Sequence, residues 1–212
     1  MDIKKLIFNP LQENTYIVYD DTKECVIIDP GCQKPEEKNV LKQFISGAGL
    51  RPKVLLNTHC HFDHIFGNNF VCSEYGIELW ASEGELANIR RFVASASLFG
   101  ISEEQPGPPA LFLEDGQTVK FGNSELKVIA TPGHSPGSLC FYSEAEMFLI
   151  AGDTLFAGSI GRTDLPGGSY DEIRKSLEKL IALPAETCVY CGHGSDTTIG
   201  REQLYNPFIA EI

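Results

Sequence analysis

Apolar and polar positions alternate along the chain in short runs, broken by a few stretches of helical spacing. Near the start, "TYIVY" and "ECVIID" are β-branched and aromatic runs separated by Asp-Asp-Thr-Lys, which predicts a hairpin. "KPEEKNVLKQFISGAGL" follows, with apolar residues at Val40, Leu41, Phe44 and Ile45. That spacing predicts an amphipathic helix, ended by Gly47 and Gly49. "PKVLLNTH" is short and wholly apolar, as suits a strand buried on both faces. It runs directly into a cluster of histidines. "NNFVCSEYG" reads as a helix, "IELWAS" as a strand and "EGELANIRRFVASASLFG" as a further helix.

After the Pro/Gly-rich connection "ISEEQPGPPA", the run "LFLEDGQTVKFGNSELKVIATPG" predicts several short strands joined by Asp-Gly and Gly-Asn turns. "LCFYS" and "EMFLIAGD" read as another strand pair. "SYDEIRKSLEKLIAL" carries Ile173, Leu177, Leu180 and Ile181 at helical spacing and is ended by Pro184. "ETCVYCGHG" reads as a last strand and turn, and "TIGREQLYNPFIAEI" as a short tail. Each half begins with strands and brings helices after them, so the expected class is α+β rather than a strict βαβ alternation. The connection near residue 106 serves equally as a domain boundary or as a loop, and the chain is read as one domain, residues 1–212.

Composition narrows the function without naming it. With 42% hydrophobic and 22% charged residues, the 212-residue chain has an ordinary globular balance. Its net charge of -12 repels phosphate backbones, so nucleic acid is not expected as a partner. No apolar run approaches membrane-spanning length, and only three apolar residues separate the two lysines near the start from Asn-Pro, too few for a signal-peptide core. The expectation is a cytoplasmic protein with no membrane partner; oligomeric state is not legible. The seven cysteines are odd in number and scattered, unlike a disulfide framework. In "CVYC" the two cysteines point to opposite faces of a strand, which argues against a shared metal.

The histidines change the picture. There are five, and three fall within "NTHCHFDHIFG": His59, His61 and His64, with Asp63 among them. His134 in "ATPGHSPGS" and His193 in "CGHGS" each follow a predicted strand, as does Asp153 in "LIAGDTLF". All five histidines thus sit where a rigid scaffold presents functional groups. On an extended segment His59 and His61 point to the same side and Cys60 to the other. Five imidazoles and two carboxylates are too many for one tetrahedral ion. They suit two ions about 3.5–4 Å apart with one bridging carboxylate. Such donors are compatible with zinc, iron or manganese.

In order and spacing, "THCHFDH", "PGHSPGS", "AGDTLF" and "CGHG" resemble the metallo-β-lactamase superfamily, and within it the hydroxyacylglutathione hydrolases, or glyoxalase II-like enzymes. The resemblance covers nearly the whole chain. It implies a four-layer αββα sandwich made of two similar halves. By the same resemblance His59, His61 and His134 hold one metal, and Asp63, His64 and His193 hold the second. Asp153 bridges, Asp63 and Asp153 count as catalytic, and Asp29 of "IIDPG" supports the ligands. Zinc-type β-lactamases commonly carry a cysteine where Asp153 stands, which disfavours antibiotic hydrolysis. Only 19 residues follow His193, so the chain looks like a short form lacking the C-terminal helical domain. Arg162 and Tyr170 lie in the substrate loop "GSIGRTDLPGGSYDEI". The implied activity is hydrolysis of a small anionic thioester by a metal-bridging hydroxide, with two divalent ions, zinc foremost. The alternatives are a mononuclear-iron persulfide dioxygenase, or a lactone or phosphodiester hydrolase on the same metals.

Overall fold

The β-branched runs of the first half form strands where their pattern predicts. The structure, a computed structural model, describes residues 1–210. In it β1 (Asp2–Phe8), β2 (Glu13–Tyr19) and β3 (Glu24–Ile28) make an antiparallel meander. β2 and β3 are the predicted hairpin, with Tyr19 opposite Cys25 and Tyr16 opposite Ile28. β1 pairs with β2 along its length, from Asp2 opposite Tyr19 to Phe8 opposite Glu13. Its mixture of lysines and half-buried apolar residues gives no clean alternation, which is why the sequence did not single it out.

α1 (Pro35–Gly47) then crosses to β4 (Arg51–Leu56), which lies parallel to β3. α2 (Asn68–Tyr75), β5 (Leu79–Ala81), α3 (Leu86–Ser97) and β6 (Leu111–Phe112) continue the parallel side of a six-stranded sheet ordered β1-β2-β3-β4-β5-β6. Leu41 and Ile45 of α1 and Val71 of α2 are buried with Ile17, Ile27 and Leu55 of the sheet. Val40, expected on the same face, is 46% exposed because it sits at the rim of the apolar stripe. The compact unit built from these elements spans Met1–Leu113 and also takes in Lys120–Glu125. The division therefore comes after Leu113, and the Pro/Gly connection near residue 106 stays inside the first unit.

A second six-stranded sheet belongs to the second unit, except for Lys120–Glu125 at the turn between its first two strands. β7 (Thr118–Phe121), β8 (Ser124–Ala130), β9 (Leu139–Ser143) and β10 (Phe148–Gly152) run in sequence order. β11 (Leu155–Phe156) and β12 (Ser159–Ile160) form a separate two-stranded ribbon. α4 (Tyr170–Ile181) leads to β13 (Cys188–Cys191), parallel to β10, and β14 (Thr197–Thr198) closes the edge. Ile173, Leu177 and Leu180 of α4 are fully buried with Leu149, Ala151 and Val189, while Ile181 is only partly covered. The Ser169 hydroxyl caps α4 by accepting the Glu172 N–H at 3.3 Å. The expected tail contains a helix, α5 (Ile199–Tyr205), capped by Thr198, whose hydroxyl accepts the Arg201 N–H at 3.2 Å. Two residues of that stretch, 211–212, lie outside the described residues. Among the described residues no helix is long and apolar enough to cross a membrane.

Candidate metal centre

In the first unit, β4 ends in the buried triplet Val54, Leu55 and Leu56, and the chain stays buried through Asn57, Thr58, His59 and Cys60. A single 3-10 turn, Phe62–His64, then brings Asp63 and His64 back beside His59. The His59 ring centroid lies 4.7 Å from that of His61 and 4.1 Å from that of His64. His64 Nε2 stands 3.8 Å from Asp63 Oδ2. The four residues singled out in the histidine cluster are thus together, on one short segment.

Asp29 organises them from behind. It sits in the left-handed region at φ 49°, a conformation that costs a non-glycine residue about 1 kcal/mol or more. Its carboxylate accepts the Thr58 N–H at 2.7 Å, the Thr58 hydroxyl, the Asn57 side-chain amide at 3.3 Å and His64 Nδ1 at 3.1 Å. Donor atoms of Asp29, His59 and His64 lie within 4.8 Å of one another. Through these bonds Asp29 holds His64 directly and His59 by way of Thr58. The Thr58 hydroxyl proton goes to Asp29, so its oxygen accepts from His59 Nδ1, 3.1 Å away. In their neutral form His59 and His64 therefore carry the proton on Nδ1 and have the lone pair on Nε2, the form that binds a metal.

The second unit repeats the device on other strands. His134 follows β8, Asp153 follows β10 and His193 follows β13. His134 Nδ1 lies 2.8 Å from the Arg162 carbonyl, which can only accept, so in the neutral ring the lone pair falls on Nε2. Asp153 Oδ2 is 3.6 Å from both His134 Nε2 and His193 Nε2. These separations are too long for hydrogen bonds. They match the roughly 3.4 Å between two ligand atoms that each stand about 2.1 Å from one tetrahedral ion. The donor set and its spacing fit metal ions. The backbone is close-packed around it: a Cβ on Gly161 would collide with the Asp153 carbonyl and approach His134 Cβ at 3.0 Å.

Arg162 and Tyr170 lie on the surface. Arg162 forks onto Asp164 through Nε and Nη2, both at 2.7 Å, and that hydrogen bond lowers the Asp164 carboxyl to about 2. Tyr170 opens α4 and is 42% exposed. Cys60 faces away from the imidazoles, packed with Ile65, Phe66 and Ala81. Burial, with the Glu85 and Asp29 carboxylates adding to it, pushes its thiol well up, so it stays protonated. Cys188 is exposed and Cys191 buried, on opposite faces as the strand pattern requires. Two residues escaped the sequence reading. Thr58 links Asp29 to His59, and its signal is adjacency to the motif. Glu13 is fully buried 4.0 Å from His64 Nδ1 and accepts the Thr15 hydroxyl at 2.8 Å. Burial raises its pKa well above the ordinary value, and His64 offsets part of that rise.

Comparison with known proteins adds a consistent set of likenesses. A family model described as the metallo-beta-lactamase superfamily matches residues 8–193. The chain is 34% identical to the hydroxyacylglutathione hydrolase GloC of Haemophilus influenzae, over 99% of this chain and 98% of that one. Among solved structures, it is 36% identical to the BLEG-1 B3 metallo-beta-lactamase, with a TM-score of 0.88 over 98% of this chain and 99% of that one. It is also 36% identical to TTHA1623 in a di-iron-bound form, with a TM-score of 0.87 over 97% and 99% of the two chains.

Proposed function

Because the chain belongs to the metallo-beta-lactamase superfamily and has its α+β fold of two sheets and helices, we propose that it is a dinuclear metal-dependent hydrolase of hydroxyacylglutathione-type thioesters. In this reading His59, His61 and His134 hold one ion, Asp63, His64 and His193 hold the other, and Asp153 serves both. The observation that carries it is the Asp153 oxygen standing 3.6 Å from two imidazole nitrogens whose strands are otherwise unrelated in sequence. The di-iron form of TTHA1623 supports the metal count, and the likeness to GloC supports the thioester. Zinc is the foremost ion, and iron or manganese suits the same donors.

When bound, the divalent ions supply a water acidified from about 15.7 towards about 7 and a Lewis acid for the substrate carbonyl. The protein's part is orientation. Asp29, Thr58 and the Arg162 carbonyl hold the Nδ1 protons of His64, His59 and His134, so each ring offers Nε2 without having to turn. Asp63 and Asp153 neutralise only part of two divalent charges, and the remaining positive field draws an anionic substrate to a chain of net charge -12. A thiol has a pKa of about 8.5, so the thiolate departs without a side chain to protonate it. An amide nitrogen would need such an acid. Arg162 would engage the thiol carrier by exchanging Asp164 for a substrate carboxylate, a swap between like partners at an exposed site that costs little. Tyr170 would line the same approach.

The likeness to BLEG-1 favours β-lactam hydrolysis as a second reading. The two separate in one assay of metal-loaded protein against a hydroxyacyl thioester of glutathione, the same acyl group on a shorter thiol, a β-lactam, a lactone and a phosphodiester. The proposal expects kcat/KM for the thioester to exceed that for the β-lactam by about 100-fold or more. The reverse order would assign the site to the lactam, and oxygen-dependent turnover of a persulfide would assign it to sulfur oxidation.

A further inference from the structure

The carboxylate of Glu85 does its work 25 positions away from its own place in the chain. Glu85 is fully buried, which acidic residues almost never are unless paired. It is the N-cap residue of α3, yet its side chain makes no cap there. Its Oε2 instead accepts the backbone N–H of Cys60 at 2.7 Å and the side-chain amide of Asn88 at 2.8 Å. Cys60 separates His59 from His61 and is itself fully buried, so water does not reach that N–H. A charged acceptor makes a shorter and stronger bond to it than a carbonyl would. Glu85 is fixed from its own side as well. Its N–H donates to the Ser82 carbonyl at 3.1 Å, and the Ser82 hydroxyl accepts the Gly84 N–H at 3.2 Å.

We propose that Glu85 is a positioning residue for the His59–His61 pair, clamping the Cys60 N–H and so setting how tightly the centre holds the ion those histidines share. The inference rests on the metal-centre reading above. Residues i and i+2 share a side only while the segment between them is extended. Rotation of the Cys60 peptide would swing both rings, and the Glu85 bond resists that rotation. The clamp acts through the backbone and leaves the ligand nitrogens to the metal. Asn88, one turn along α3, holds the carboxylate in place.

The test is zinc titration of metal-free protein against a competing chromophoric chelator, for the natural protein, Glu85→Gln, Glu85→Ala and Glu85→Asp. The natural protein is expected to bind two equivalents. Glu85→Gln keeps an oxygen that can accept the Cys60 N–H, and its affinity should stay within about threefold. Glu85→Ala should lose about 10- to 100-fold at one of the two sites and leave the other unchanged, a pattern that general loosening of the fold would not give. If Glu85→Ala does not fold, Glu85→Asp carries the same expectation, because the shorter side chain cannot span from α3 to Cys60. Binding of both ions by Glu85→Ala or Glu85→Asp as tightly as by the natural protein would overturn the clamp alone, as would an equal loss in Glu85→Gln. Failure of the natural protein to bind two ions would instead overturn the metal-centre reading.

Discussion

At the scale of the residue, the chemistry rests on which atoms of the imidazoles are already engaged. Thr58 is the smallest part of that arrangement and the easiest to test, since valine matches its shape without the hydroxyl. Thr58→Val removes the link between Asp29 and His59 and should weaken zinc binding by about 10- to 100-fold. Chelator competition measures it, and unchanged affinity would mean that Asp29 alone sets the ligand geometry. Asp20 offers a test of stability away from the centre. Burial works against its ionisation, but hydrogen bonds from Thr22, Asn123 and Ser124 outweigh it and hold the carboxyl below its ordinary value. A depressed carboxyl stabilises the fold above the unfolded value of about 4, and that contribution is lost as pH falls through the folded value. Asp20→Asn should therefore be less stable than the natural protein near neutral pH, with the gap in denaturant midpoint narrowing below pH about 4. A gap independent of pH would mean that shape, not charge, matters there.

The candidate donors were legible because histidine is rare here and each one follows the end of a strand within a few residues. The buried carboxylates were not. Glu13, Glu85 and Glu202 read as surface positions in any hydropathy pattern, since an acidic residue is normally solvated. What buries them is a donor supplied from elsewhere: the Thr15 hydroxyl for Glu13, the Cys60 N–H for Glu85, the Gly158 N–H for Glu202. Such partners depend on how the chain folds back, which periodicity does not encode.

At the scale of the element, strands end at the candidate donors and helices hold the turns that follow. One tight case is Gly133, one residue before His134, with φ at 137° and a Cβ position that would strike the backbone N of Ile173 in α4. Its carbonyl also accepts the Ser169 N–H at 2.8 Å, where α4 begins. Gly133→Ala should cost about 1–3 kcal/mol from the backbone conformation alone, and it should displace His134 enough to weaken metal binding. Thermal melts with and without zinc separate the two effects; a variant that melts and binds as the natural protein does would show that α4 yields freely. The long periodic helices and the two hairpins were readable from the sequence. β1 and α5 were not, because one alternates poorly and the other has only seven residues. Val40 shows the same limit from the other side, since an apolar residue at helical spacing still lies on the rim when the buried stripe is narrow.

At the scale of the whole molecule, each compact unit presents candidate donors of its own: His59, His61, Asp63 and His64 in the first, His134, Asp153 and His193 in the second. Each ion bound by those donors would add to stability with the logarithm of its concentration, about 4 kcal/mol at a thousand times its dissociation constant. For a chain of this size that is about 8–16 °C in melting temperature. Removing both ions with a chelator should lower Tm by at least this much, and restoring zinc should recover it. A melting curve indifferent to chelator would show that the imidazoles and carboxylates make no metal centre.

The central claim is that two ions together make this chain a thioester hydrolase. Its most direct test is to add zinc stepwise to metal-free protein while following hydrolysis of a hydroxyacylglutathione thioester under nitrogen and under air. Turnover should rise to a plateau at two equivalents, be the same in both atmospheres and be lost in Asp153→Ala. A plateau at one equivalent, a requirement for oxygen, or turnover undiminished without metal would contradict it.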